Sequence, residues 1–191
     1  MLINYTWMRL MKDSIIELIN QYPTEALKSK ATPVNCVSTF EQSLTAPNDN
    51  KTNWDNSIVD FVKDLKGTAE KLASNCLGLA ANQIWKSNDP YPAIFVMRWP
   101  TTDYQGWSWQ EVINPKVSLS GKKTKLEEGC LSLITAKEAS KKKLRRANVT
   151  LTYQTILNIT PQTVKFYGHL GPYARIVQHE ADHLAGRLCT E

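Results

Sequence analysis

Two of the chain's three histidines stand four residues apart, in His179-Glu180-Ala181-Asp182-His183. One regular backbone makes chemical sense of that spacing. On an α-helix, positions i and i+4 share a face one turn apart, so both imidazoles reach a single ion, while Glu180, rotated by about 100°, reaches water at that ion. The pattern predicts a last helix through Ala174, Ile176, Val177, His179, Glu180, His183 and Leu184, ended near Gly186. The rest of the chain has to close around it.

A catalytic site of this kind needs a third protein ligand and an open position. A glutamate far downstream is excluded, because only eight residues follow His183 and Glu191 is the one acid among them. Two cysteines remain. Cys189 stands where the longer pattern H-E-x-x-H-x-x-G-x-x-H has its last histidine. Cys130, in Glu127-Glu128-Gly129-Cys130-Leu131-Ser132, follows a glycine that exposes both its thiolate and the next backbone N–H. Cys36, Cys76 and Cys189 read more simply as inert thiols. No C-x-x-C pair is present, so neither a zinc ribbon nor a redox dithiol is written here.

With 42% hydrophobic and 21% charged residues among 191, the chain reads as one soluble domain that builds a core without disulfides or structural metal. A metal at the histidines is then functional. No stretch approaches the roughly 18 consecutive apolar residues of a membrane-spanning helix, and the first residues lack the basic and apolar regions of a signal peptide. A cytoplasmic location is expected, with no membrane partner. Twenty-three Lys and Arg against 18 Asp and Glu leave a net charge of +5. Much of the excess sits in Lys122-Lys123-Thr124-Lys125 and Lys141-Lys142-Lys143-Leu144-Arg145-Arg146. Both clusters read as solvated loops, since no aromatic residue alternates with the charges as a nucleic-acid platform requires, and no specific DNA binding is expected.

Along the chain, Met8, Met11, Ile15, Ile16, Leu18 and Ile19 suggest a helix stopped by Pro23, and residues 29–53 suggest a long polar loop. Ile58, Phe61, Val62, Leu65, Ala69 and Leu72 have helical spacing behind a polar start at Asn53-Trp54-Asp55-Asn56. Pro92 to Trp99 reads as a buried strand, Trp107 and Trp109 as a turn, and Val149-Leu151-Tyr153 with Val164-Phe166 as an antiparallel hairpin. The order helix, helix, strands, helix favours an α+β fold over alternating βαβ units.

Three segments together resemble the peptide deformylase family: Cys76-Leu77-Gly78-Leu79-Ala80-Ala81-Asn82-Gln83, Glu128-Gly129-Cys130-Leu131-Ser132 and Gln178-His179-Glu180-Ala181-Asp182-His183, in that family's order. Weaker similarity runs from about Leu27 to Gly186. The resemblance implies an α+β fold with antiparallel sheets packed around a central C-terminal helix. It also implies a single metallohydrolase domain over residues 27–191, preceded by a helical extension or arm over residues 1–26. Cys130, His179 and His183 would hold one divalent metal, usually iron(II), with zinc, nickel or cobalt able to substitute. Glu180 would act as proton carrier, and the Gln83 amide and Leu131 N–H as oxyanion donors. Gly78 would keep the backbone open to an extended peptide; its plainer reading is an ordinary turn. Leu77 and Ile176 would wall a methionine pocket, and Glu128 would pair with Arg146. The substrates implied are N-formylmethionyl peptides and nascent chains, near the ribosome.

The sequence departs from the family's pattern at Cys76, where relatives carry glycine, and after Ser132, where relatives carry a proline. The family's usual C-terminal helix has no counterpart before Glu191, as in bacteriophage members, which would place the protein in a host cytoplasm. Two rivals fit parts of the sequence. One is a zinc peptidase with Cys189 as third ligand; the other is a non-catalytic basic protein binding RNA or the ribosome.

Overall fold

The computed structural model describes residues 18–21, 24–35, 54–72, 76–87, 89–100, 106–133 and 140–190. Expectations for the helix before Leu18, most of the loop before Trp54, Cys36 and the segment after Leu133 fall outside them. In chain order come α1 (Glu25–Lys28), α2 (Asn56–Lys71), β1 (Gly78–Ala80), α3 (Ala81–Ile84), β2 (Ile94–Pro100) and β3 (Trp107–Gly129). A 3-10 turn (Leu131–Leu133), β4 (Ser140–Gln154), β5 (Gln162–Tyr167), a second 3-10 turn (Gly168–Leu170) and α4 (Tyr173–Leu184) follow. The strands form one antiparallel sheet in the order β1-β2-β3-β4-β5, giving the α+β architecture.

Strand β2 explains why its sequence is apolar on both faces from Ile94 to Met97. Ile94 and Val96 join a core with Val62, Leu65 and Ala69 of α2. Phe95 and Met97 join a second core with Ala174, Ile176 and Val177 of α4. A strand covered on both faces has no position for a polar alternation. Strand β4 is covered on one face, so Val149, Leu151 and Tyr153 are buried and alternate with more exposed residues. Helix α2 begins where Asp55 accepts the Ser57 N–H at 2.7 Å, closing one of the open donors of its first turn.

Two expectations change. The basic clusters are not loops: Lys123 pairs with Arg146, Lys125 with Leu144 and Glu127 with Lys142 across β3 and β4. In β4 one cation, Arg145, is buried among more exposed ones, which an apolar pattern does not reveal, and Lys122, Lys123 and Lys125 of β3 are all exposed. Trp107 and Trp109 are likewise not a turn but the start of β3, opposite Pro100 and Arg98. The Arg98 guanidinium lies 3.9 Å from the Trp107 ring centroid, so a half-exposed tryptophan is held by a cation at the sheet surface.

Helix α4 ends in a Schellman arrangement: the Gly186 N–H bonds the His183 carbonyl at 3.0 Å and the Arg187 N–H bonds that of Asp182 at 2.9 Å. Gly186 has φ +69°, and a Cβ there would lie within 2.6 Å of the Ser29 carbonyl oxygen. The end of α4 is thereby seated against the turn after α1. No helix among the described residues is long and apolar enough to cross a membrane.

Candidate active site

Helix α4 carries His179 and His183 one turn apart, and the β3 end delivers Cys130 to the same place. The ligand atoms of these three residues lie within 4.8 Å of one another, with Cys130 Sγ 3.2 Å from His183 Nε2. Among the described residues this is the one such cluster of three potential ligands. Its donor set, one thiolate and two imidazoles, suits iron(II), zinc, nickel or cobalt and not magnesium or calcium. Cys189 stands apart from it. Its Sγ is 4.0 Å from the Glu128 carbonyl, and it packs with Leu133 and Leu188 behind Cys130. Burial pushes the Cys189 thiol up to about 12. Cys76, Cys130 and Cys189 are all free thiols.

Around this cluster runs a buried network of charges. Glu128, 3% exposed, receives Arg145 Nε at 3.0 Å and Nη2 at 2.9 Å, a bond from Arg175, and faces His179 Nδ1 at 3.2 Å. Arg145 also bonds Asp182, which Arg187 holds at 2.6 Å. The expected partner of Glu128, Arg146, instead faces outward and reaches the Gly121 carbonyl at 3.0 Å. Strand parity is the reason: Arg145 shares the inward face with Val149, Leu151 and Tyr153, and Arg146 does not. That signal was present in the sequence. Burial would raise the Glu128 carboxyl, but hydrogen bonds from His179 and Arg145 outweigh it and hold the group well below the usual carboxylate range. Burial would likewise discharge His179. Its bonds with Cys130 and Glu128 outweigh that effect and hold it charged up to about 10. A proton shared in such a cluster is what a bound cation would displace.

Glu180 lies beside the cluster, and burial pushes its carboxyl up to about 7 against the pull of His179 and Arg145. Its Oε2 is buried without a hydrogen-bond partner among the described residues. Gly78 explains the fit. A Cβ at that position would come within 2.8 Å of Glu180 Cδ and Cγ and nearer still to Oε1, so only glycine lets the β1 backbone pass the carboxylate.

Gln83 is oriented at both ends: its Oε1 accepts the Ala80 N–H at 2.9 Å, while its Nε2 bonds Ser132 Oγ at 3.0 Å and points to Cys130 Sγ at 3.9 Å. Ser132 was not singled out from sequence, nor was Asn82, whose amide bonds the His183 carbonyl at 2.8 Å. A single cleft brings together Leu77, Gly78, Gln83, Leu131, Ile176 and Glu180 with two of the potential ligands, Cys130 and His179. Cys76 and Arg175 line it too. Cys76 is buried, its Sγ 3.3 Å from the Gly78 carbonyl.

The chain matches the family model described as polypeptide deformylase over residues 16–191. It is 33% identical to a peptide deformylase of Wolbachia pipientis over 158 residues, spanning 76% of this chain and 82% of that one. A crystal structure of a probable peptide deformylase from Synechococcus phage S-SSM7 shares the fold, with a TM-score of 0.65 at 24% identity over 90% of this chain and 96% of that one. A Met-Ala-Ser-bound class I type b peptide deformylase from Acinetobacter baumannii aligns with a TM-score of 0.64 and 25% identity, over 90% and 94% of the two chains.

Proposed function

The chain belongs to the polypeptide deformylase family, and from that premise we propose that it hydrolyses the formyl group from N-terminal formylmethionine, releasing formate and a peptide with a free amino terminus. One observation carries the site assignment: three sequence-distant segments converge on one cleft, lined by Cys130, His179 and Glu180, whose buried Oε2 has no hydrogen-bond partner among the described residues. Cys130, His179 and His183 would hold the divalent metal, with iron(II) proposed as the working ion. When bound, that ion supplies Lewis acidity, polarising the formyl carbonyl and making water acidic near neutrality.

The remaining work falls to the protein. Glu180 takes a proton from the attacking water and delivers it to the amide nitrogen as the C–N bond breaks. As the formyl oxygen gains negative charge, the Gln83 amide and the Leu131 N–H donate to it. Gly78 and Leu77 offer an extended edge along which the peptide backbone lies, and Leu77 and Ile176 wall the methionine side chain. Relatives support such a substrate: the Acinetobacter enzyme was crystallised with Met-Ala-Ser. Formylated amino termini arise at the ribosome, so the proposed setting is the cytoplasm. Cys189 lies outside the ligand cluster, which disfavours a peptidase with that ligand.

The test is formate release from a formyl-Met tripeptide by anaerobically purified protein, beside a Glu180→Gln variant. Release that vanishes in the variant while the metal stays bound is expected. No release from folded, metal-loaded protein would refute the activity.

A further inference from the structure

Part of each basic cluster comes to one sheet face, while Lys141, Lys143 and Arg145 lie on the other side. On β3, Lys123 and Lys125 stand beside Arg146 and Leu144 of β4, and Glu127 beside Lys142. Farther along the same face, Lys116 stands opposite Thr152, and Lys165 of β5 opposite Thr150. All six cations are exposed. Against them, among the described residues, the face presents one carboxylate, Glu127. None of the six forms a salt bridge among the described residues. Along each strand, same-face positions recur every ~6.7 Å, so the charges form a grid rather than a single row.

The aromatic group missing from the linear sequence is supplied by the fold. Tyr167 pairs with Asn148, next to Arg146 on this face. It is 41% exposed and stacks on His169 at 5.9 Å and 29°. A cationic grid bordered by an exposed ring is what a backbone of phosphates with unpaired bases needs. A lipid surface would instead call for an apolar wedge, and among the described residues Leu144 is the single large aliphatic on this face.

We propose that this face of β3, β4 and β5 docks the phosphate backbone of single-stranded RNA. The choice of RNA rests on the deformylase reading, since formylated amino termini emerge from an RNA-rich particle.

The test is anisotropy of a fluorescein-labelled 20-nucleotide polyuridine with the full, metal-loaded protein at 50 and 200 mM KCl. Six phosphate contacts predict a slope of about −4 in log K against log salt, a fall of about 300-fold over that range. The quadruple change Lys123→Glu, Lys125→Glu, Lys142→Glu and Lys165→Glu should weaken binding by about 100-fold or more. Tyr167→Ala should weaken it about fivefold or more with an unchanged salt slope. Both variants should release formate from a formyl tripeptide at the parent rate. Unchanged RNA affinity in the quadruple variant would overturn the proposal, as would a slope near zero or a preference for phosphatidylserine vesicles over RNA. RNA binding is read without turnover, so a protein that binds RNA but releases no formate would refute the enzymatic reading while leaving the RNA face standing.

Discussion

Gly78→Ala isolates the proposed proton carrier without touching it. The added methyl would stand 2.8 Å from both Cδ and Cγ of Glu180, where ordinary contacts begin at 3.4 Å. The side chain must retreat by about 0.6 Å at those carbons and farther at Oε1, and Glu180 is 3% exposed, with little room to move. Misplacing a catalytic group by about 1 Å costs on the order of a hundredfold, so kcat should fall by about 10- to 100-fold. Stability should fall by about 1–3 kcal/mol, the usual cost of overpacking. Formate release coupled to formate dehydrogenase reads the rate, and mass spectrometry of the purified protein reads the metal. The expected variant is folded, metal-loaded and slow. A Gly78→Ala protein with parental kcat would refute the role given to the Gly78–Glu180 contact.

Gly186→Ala should lower the thermal midpoint sharply with no separate effect on chemistry, because it meets both a left-handed φ and the Ser29 carbonyl; calorimetry showing a parental midpoint would contradict that packing. Glu128→Gln should weaken metal binding by about 10- to 100-fold, since it loosens the charged partner of His179, and competition with a chelator measures it. Cys130→Ala should empty the site while Cys189→Ala leaves it filled; the reverse in metal analysis would revive the peptidase reading. The iron-loaded enzyme should lose activity in air faster than under nitrogen, and equal half-lives would count against iron.

The parts of the fold that were legible share one property: their residues report burial by hydrophobicity. The α2 stripe, the run in β2, the Val149 to Phe166 hairpin and the inward side of α4 all declare themselves that way. Strands β3 and β4 hide their cationic half because the inward residues there are Glu128 and Arg145, which are buried as partners of each other and not as apolar groups. Parity from Val149 back to Arg145 was available and would have chosen the right arginine. In the candidate site, the short motifs carried Cys130, His179, Glu180 and His183. Asp182, Arg175 and Ser132 enter through contacts between distant segments, which no spacing along the chain encodes.

Leu133, Leu188 and Cys189 close the rear of Cys130, and Lys141 ties the Thr190 carbonyl down at 2.7 Å. Cys130 is 2% exposed and lines the cleft proposed to receive the peptide. On that proposal, small oxidants and substrate approach it through the same cleft. Bound peptide would then shield its sulfur, and working life in air would lengthen as peptide fills the cleft.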